Sequence, residues 1–334
     1  MNEVPQPPDE RPPALIVAGP TCSGKSTLAM AIAEAVGGVI INADSMQVYR
    51  ELRVLTARPS PEDEARVPHR LYGERPAAMP GSVAWWRGRA LEEMRAATAG
   101  GRIPILCGGT GMYFHALTHG IADIPDPGEP ARDEARRRLR EAGPEALHAD
   151  LAQVDPATAA RLRPNDSQRL ARAWEVFLGT GRGLTAWQDA ADNTAAPWRF
   201  SAILLDPPRE SLRAAIAGRF AAMLDAGALD EARALLDQNL DPALPAMRAH
   251  GVPELAAHLR GEITLAEAAR RAELVTGQYT KRQATWFRHR KLADPDRVHT
   301  IHARITGLEQ LSERKWSEIL SFIPIWVDAR KRRD

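Results

Sequence analysis

The stretch GPTCSGKST, Gly19–Thr27, fits the phosphate-binding pattern G-x-x-x-x-G-K-[ST]. No other feature restricts the fold as much, because such a loop works only between a strand and a helix. Gly19 and Gly24 permit backbone conformations that turn successive N–H groups toward one anion. A helix beginning near Lys25 adds its positive end, Lys25 adds a mobile cation, and the Ser26 hydroxyl can ligate Mg²⁺ that bridges phosphate oxygens. Pro20, Thr21, Cys22 and Ser23 complete the turn around the anion. With glycine at about 7% of residues, the pattern is expected by chance in roughly one such chain in a hundred. The flanks meet the requirement: ALIVA before the loop reads as a buried strand, and KSTLAMAIAEAV after it reads as a helix.

The same alternation continues. GVIINAD predicts a second buried strand ending at Asp44, and RIPILC a third that leads into the loop and helix of GGTGMYFHAL. SVAWWRGRALEEMRAATAGG has helical spacing, RFSAILLD at Arg199–Asp206 returns as a strand, and two long helical segments follow. Short apolar strands between helices predict an α/β fold: a P-loop NTPase-like parallel sheet flanked by helices. Residues 122–196 carry prolines, charge and helical patterns without a strand, so they predict an inserted all-helical subdomain. The core is then 14–121 with 197–320, preceded by a disordered leader over 1–13 and followed by a basic tail over 321–334.

Composition sets bounds on partners. Lys and Arg total 44 against 43 Asp and Glu, so net charge alone points to no polyanion. The two cysteines, Cys22 and Cys107, are too few for a disulfide framework or zinc finger and suit a reducing compartment. No apolar run approaches the roughly 20 residues of a membrane span, and the N-terminus lacks a signal-peptide core. A cytoplasmic monomer with no membrane partner is expected.

The loop alone suits a kinase or other nucleotide-triphosphate enzyme, which usually adds a strand-end acid for Mg²⁺ or water. The third strand ends in GGTG with no carboxylate. Asp206 could serve, or could be a turn residue before two prolines. Asp44 is better placed, since strand C-termini of an open parallel sheet border the ligand crevice.

The ordered set GPTCSGKS, NADSMQVY, LTARP, PHRL, CGGTGMYF, NDSQRLARAWEV and KRQATWFR resembles the bacterial tRNA dimethylallyltransferases, from about Ala14 to Arg290. That resemblance implies transfer of a five-carbon prenyl group from dimethylallyl diphosphate to the exocyclic amine of the adenosine 3′ of the anticodon, position 37. It implies that Gly19–Ser26 hold a diphosphate with Mg²⁺, that Arg219 is directed at the same oxygens, that Asp44 is the general base, and that Thr110 lies near the reacting groups. Alkylation of an amine needs a neutralised leaving group and a proton acceptor, and these residue types supply both. No water need be activated.

The acceptor would be the tRNA anticodon stem-loop. Asp44, Ser45, Met46 and Gln47 would border its target nucleotide, together with Thr110. Gln168, Arg169, Leu170, Ala171 and Arg172, in QRLAR, and also Arg132 and Arg248, match further tRNA-contacting positions. Between Arg270 and Lys291 lie seven cations, opposed only by Glu273 within that span and interleaved with Tyr279, Trp286 and Phe287. Cations plus aromatics suit unstacked RNA bases, although a basic helix can equally be a solvated face. The resemblance assigns tRNA contact here to Lys281, Arg282, Gln283, Trp286 and Arg288. An adenine in a stacked loop would have to be flipped out to reach an interior site.

The chain departs from the family pattern at Gly251-Val252-Pro253, at Ala215, and in WWRGRA, none of which touches the inferred catalytic set. A small-molecule kinase, a prenyltransferase for free adenine nucleotides and a non-catalytic RNA-binding module are the competing readings. The last leaves the phosphate loop and Asp44 without a role.

Overall fold

The computed structural model describes residues 10–191 and 194–323. Most of the expected leader and most of the basic tail lie outside the described residues. Six strands, β1 (Pro13–Ala18), β2 (Val39–Asn42), β3 (His69–Arg70), β4 (Pro104–Gly108), β5 (Arg199–Leu205) and β6 (Val298–Ile301), form one sheet in the order β3-β2-β4-β1-β5-β6. Every pairing is parallel. Order begins slightly earlier than the sequence suggests: Pro13 opens β1, and the Pro12 carbonyl accepts a hydrogen bond from Arg199 N at 2.8 Å. β2 stops at Asn42, two residues short of the expected Asp44.

The chain divides into two compact units, one running up to Thr118 and resuming at Ala196, the other spanning His119–Ala195. The first unit holds the sheet with α1 (Lys25–Val36), α2 (Pro61–Arg66), α3 (Val83–Ala99) and α4 (Gly111–Thr118). The second is helical, with α5 (Glu129–Val154), α6 (Pro156–Ala159), α7 (Ser167–Thr180) and α8 (Leu184–Asp189). Returning to the first unit, the chain adds α9 (Arg209–Asp225), α10 (Ala228–Leu236), α11 (Val252–Leu259), α12 (Leu265–His289) and α13 (Glu313–Phe322).

The pleat of β1 explains the layers. Ala14, Ile16 and Ala18 join a core with Trp86, Phe114, Phe220 and Phe287, contributed by α3, α4, α9 and α12. Leu15 and Val17 face the opposite side and pack with Leu28 and Ile32 of α1 and Ile319 of α13. Both faces are therefore covered, as continuous apolar strands require. In the helical unit, Leu147, Leu151, Leu170 and Ala173 form a separate small core. The EAGPE break expected inside its first helix is a kink at Gly143, where φ is 81°.

Gly24 shows why the loop's second glycine is needed. Its φ is 90°, and an added Cβ would lie 1.8 Å from the Ile305 carbonyl oxygen. Gly24→Ala is expected to destabilise the fold by at least about 2 kcal/mol. Thermal melting of the variant checks this, and an unchanged Tm would contradict it.

Candidate active site

Three neighbouring strands deliver the candidate residues to one end of the sheet. The phosphate loop follows β1, Asp44 follows β2, and Thr110 follows β4, with β4 lying between β1 and β2. These are strand C-termini, where open parallel sheets leave their ligand crevice.

Among the described residues Asp44 is held by hydrogen bonds with its neighbours rather than by an ion pair. The buried Asn42 side chain accepts from Asp44 N at 2.8 Å and donates to the carbonyls of Asp44 and Leu71, each at 3.0 Å. One Asp44 carboxylate oxygen accepts from Met46 N at 3.0 Å. Thr110 Oγ1 accepts from Ser45 N at 2.9 Å and donates to Ser45 Oγ at 3.3 Å, tying the end of β4 to the turn after β2. Thr110 N donates to Ala43 O at 3.1 Å. The carboxylate thus has a fixed position and one oxygen in use.

Two cavities meet at the phosphate loop. The smaller, about 220 Å³, is lined by Asp44, Ser45, Met46, Thr21 and Tyr279, with an apolar wall of Leu55, Ile216, Phe220 and Met223. Arg248 also borders it. The larger, about 560 Å³, is strongly basic: Lys25, Arg53, Arg58, Arg219 and Arg304 line it, with Gly24 and Ser26. Cys22, Arg219 and Met223 border both. Arg219 projects from α9 to donate to Thr56 O at 3.3 Å and to Cys22 Sγ at 3.9 Å, which sets its guanidinium beside the loop. Arg304, beyond β6, donates to Cys22 O at 2.9 Å and braces the loop from outside.

Burial lowers the Lys25 pKa, and the Asp44 carboxylate opposes that shift. Lys25 Nζ has only a long contact to Pro20 O, 3.5 Å, among its described partners. A desolvated cation with so little local satisfaction is suited to an incoming anion. Tyr279 is pushed up to about 12 by burial and then by Asp44, so its hydroxyl stays a donor. Among the described residues no group of three or more His, Cys, Asp or Glu could hold a metal. Exposed Ser26 instead offers one hard oxygen ligand in the basic cavity, a donor set that fits Mg²⁺ shared with phosphate oxygens and water.

Several sequence expectations change. Gln283 is buried and both ends of its amide are engaged: Oε1 accepts from Thr21 N at 2.9 Å and Thr21 Oγ1 at 3.2 Å, and Nε2 donates to Gly109 O at 3.0 Å. It bridges two active-site loops instead of facing RNA. Gln47 Nε2 similarly donates to the carbonyls of Thr56 and Ala57. Leu170 is fully buried in the helical unit's core, so only the exposed Gln168 and Arg169 and the partly exposed Ala171 and Arg172 of QRLAR are open to a partner. Arg172 pairs with Glu175 at 2.6 Å, and Arg132 pairs with Asp126 and Glu129. Phe287 is core rather than a stacking platform.

The basic stretch of α12 is also less one-sided than its sequence. Glu267, just upstream, pairs with Arg270 at 2.8 Å and Arg271 at 2.6 Å, and its carboxyl is drawn down to about 2. Lys281, Arg282 and Trp286 remain grouped, lining a groove with Arg209, Gln278 and Thr285. Arg282 lies over the Tyr279 ring at 5.5 Å. Trp286 packs so closely on Gly111 that a Cβ there would come within 2.2 Å of the indole. Asp206, the alternative acid, is engaged by Arg288 at 3.2 Å and approached by His302 at 3.8 Å.

Sequence reasoning missed Asn42, Arg53, Arg58, Arg304 and His250 as site residues. His250 borders the smaller cavity edge-on to Tyr279 at 4.8 Å, its pKa lowered by burial and then by Arg282. A polar residue ending the apolar run VIIN was a readable signal for Asn42; the others depend on long-range packing.

The sequence and the fold both match known proteins. The IPP transferase family model matches residues 47–290, and an isopentenyl transferase model matches residues 13–78. A tRNA dimethylallyltransferase of Granulibacter bethesdensis is 64% identical over 93% of this chain and 97% of its own. Another, from Gluconacetobacter diazotrophicus, is 62% identical over 96% of each. Among solved structures, the full-length tRNA isopentenylpyrophosphate transferase of Bacillus halodurans superimposes with a TM-score of 0.65 at 30% identity, covering 94% of this chain and 96% of that one. A family model across most of the chain, near-full-length relatives and the same fold lead to one conclusion: the chain belongs to the IPP transferase family.

Proposed function

We propose that this chain is a cytoplasmic, monomeric tRNA dimethylallyltransferase that prenylates the exocyclic amine of the adenosine at position 37. The observation carrying the reading is the meeting of two cavities at the phosphate loop, one basic around Lys25 and Arg219, the other holding Asp44 beside an apolar wall. The diphosphate of dimethylallyl diphosphate occupies the basic cavity, and its prenyl tail lies along Leu55, Ile216, Phe220 and Met223. The amine forms its bond to the prenyl carbon as the carbon–oxygen bond breaks. Diphosphate leaves with that electron pair, and Asp44 takes the amine proton. Loop N–H groups, Lys25 and Arg219 stabilise the departing charge. Ser26 would hold Mg²⁺, which would supply further charge neutralisation when bound.

Protein, Mg²⁺, dimethylallyl diphosphate and unmodified tRNA should together yield a prenylated adenosine detectable by nucleoside mass spectrometry. No product alongside an active control enzyme would overturn the proposal. On the acceptor side, Lys281→Ala and Arg282→Ala should each raise KM for tRNA several-fold and reduce its salt dependence by about one cation's share. KM for the prenyl donor should not move. Equal changes for both substrates would remove α12 from the RNA interface.

A further inference from the structure

The segment Arg53–Arg58 belongs to no helix or strand, yet it walls both cavities: Leu55 and Thr56 line the smaller, while Arg53, Val54, Ala57 and Arg58 line the larger. Ala57 even adopts a left-handed φ of 48°. Two turn bonds inside it, from Ala57 N to Val54 O at 2.9 Å and from Arg58 N to Arg53 O at 3.0 Å, leave the amides of Arg53, Val54 and Leu55 to be satisfied from outside the segment. Glu231, in the first turn of α10, does this for the amides. Its carboxylate accepts from Arg53 N at 2.7 Å, Val54 N at 2.7 Å and Leu55 N at 2.8 Å, using both oxygens. Gln47 and Arg219 fix the carbonyl side, both donating to Thr56 O. Three successive N–H groups converging on one anion is the device of a phosphate loop, here closed by a side chain of the chain itself.

We infer that Glu231 is a positioning residue for the prenyl donor: by holding Arg53–Leu55 it sets both the apolar wall and the cationic wall of the donor site. Glu231 itself lines neither cavity, so it acts only through the segment it holds. This inference rests on the proposed prenyl transfer. An aspartate at this position keeps the charge with a shorter reach. A glutamine keeps the size, but turns an NH₂ toward amides that need an acceptor.

The test compares wild type, Glu231→Gln and Glu231→Asp in steady-state prenylation of tRNA, each first shown by thermal melting to be folded at the assay temperature. Glu231→Gln should raise KM for dimethylallyl diphosphate about tenfold or more, with KM for tRNA within about twofold. Glu231→Asp should fall between it and wild type. With its wall released, Glu231→Gln should also use geranyl diphosphate better relative to dimethylallyl diphosphate. Unchanged donor KM, equal rises in both KM values, or a glutamine variant that does not fold would overturn the assignment. A wild-type protein that makes no product would instead overturn the proposed function, and this inference with it.

Discussion

Asp44→Asn is expected to lower kcat for prenyl transfer by about 10²–10⁴-fold, with KM for dimethylallyl diphosphate changed by no more than about threefold. The asymmetry follows from how Asp44 is held. Its backbone is clamped by Asn42, and one carboxylate oxygen accepts from Met46 N, a contact that an asparagine carbonyl can keep. The substitution therefore preserves the turn while removing the group that takes a proton. In the proposed reaction the diphosphate is held by the phosphate loop and the basic cavity, where Asp44 is not a lining residue, and the prenyl tail by the apolar side chains of the smaller cavity, so neither contact needs the Asp44 charge. Single-turnover measurement with saturating donor separates the two effects. Equal losses in chemistry and donor binding would show that Asp44 shapes the donor site rather than acting as base. An unchanged kcat would remove it from the reaction.

Legibility in the sequence tracked the range of the interaction responsible. The phosphate loop is a local device: spacing, flanking strand and helix start are all contained in residues 14–36, and the structure has α1 at Lys25–Val36. The central strands β1, β2, β4 and β5 are apolar runs buried on both faces and were legible as such. β3, with two residues, and β6, with the mixed sequence VHTI, sit at the sheet edges, where neither burial nor length leaves a pattern. Motif matching located α12 but could not say which of its side chains face inward. Gln283 and Phe287 proved to be buried, while Lys281 and Arg282 are exposed. Glu231 was invisible for a different reason. Its partners lie 176–178 residues away and are backbone amides, which carry no sequence signal at all.

Lys25→Met is expected to lower kcat/KM for the donor by about 10²–10³-fold, the scale of losing one preorganised donor to a developing oxyanion. Arg53, Arg58, Arg219 and Arg304 share the basic cavity but would not replace Lys25, because of these five cations only Lys25 stands at the end of the phosphate loop, whose N–H groups would surround the anion in the proposed reaction. The pH dependence provides an independent check. In the proposed reaction the cationic form is the one that binds diphosphate, and burial holds the Lys25 pKa below the ordinary lysine value. In wild type, kcat/KM for the donor should be retained below that pKa and fall as pH rises through it. Lys25→Arg keeps its charge at every accessible pH, so the alkaline fall should vanish even if the longer guanidinium fits poorly. Since Asp44 raises the Lys25 pKa, Asp44→Asn should move the fall to lower pH. An alkaline fall that persists unchanged in Lys25→Arg would assign the titration to another group and leave Lys25 without the role argued for it.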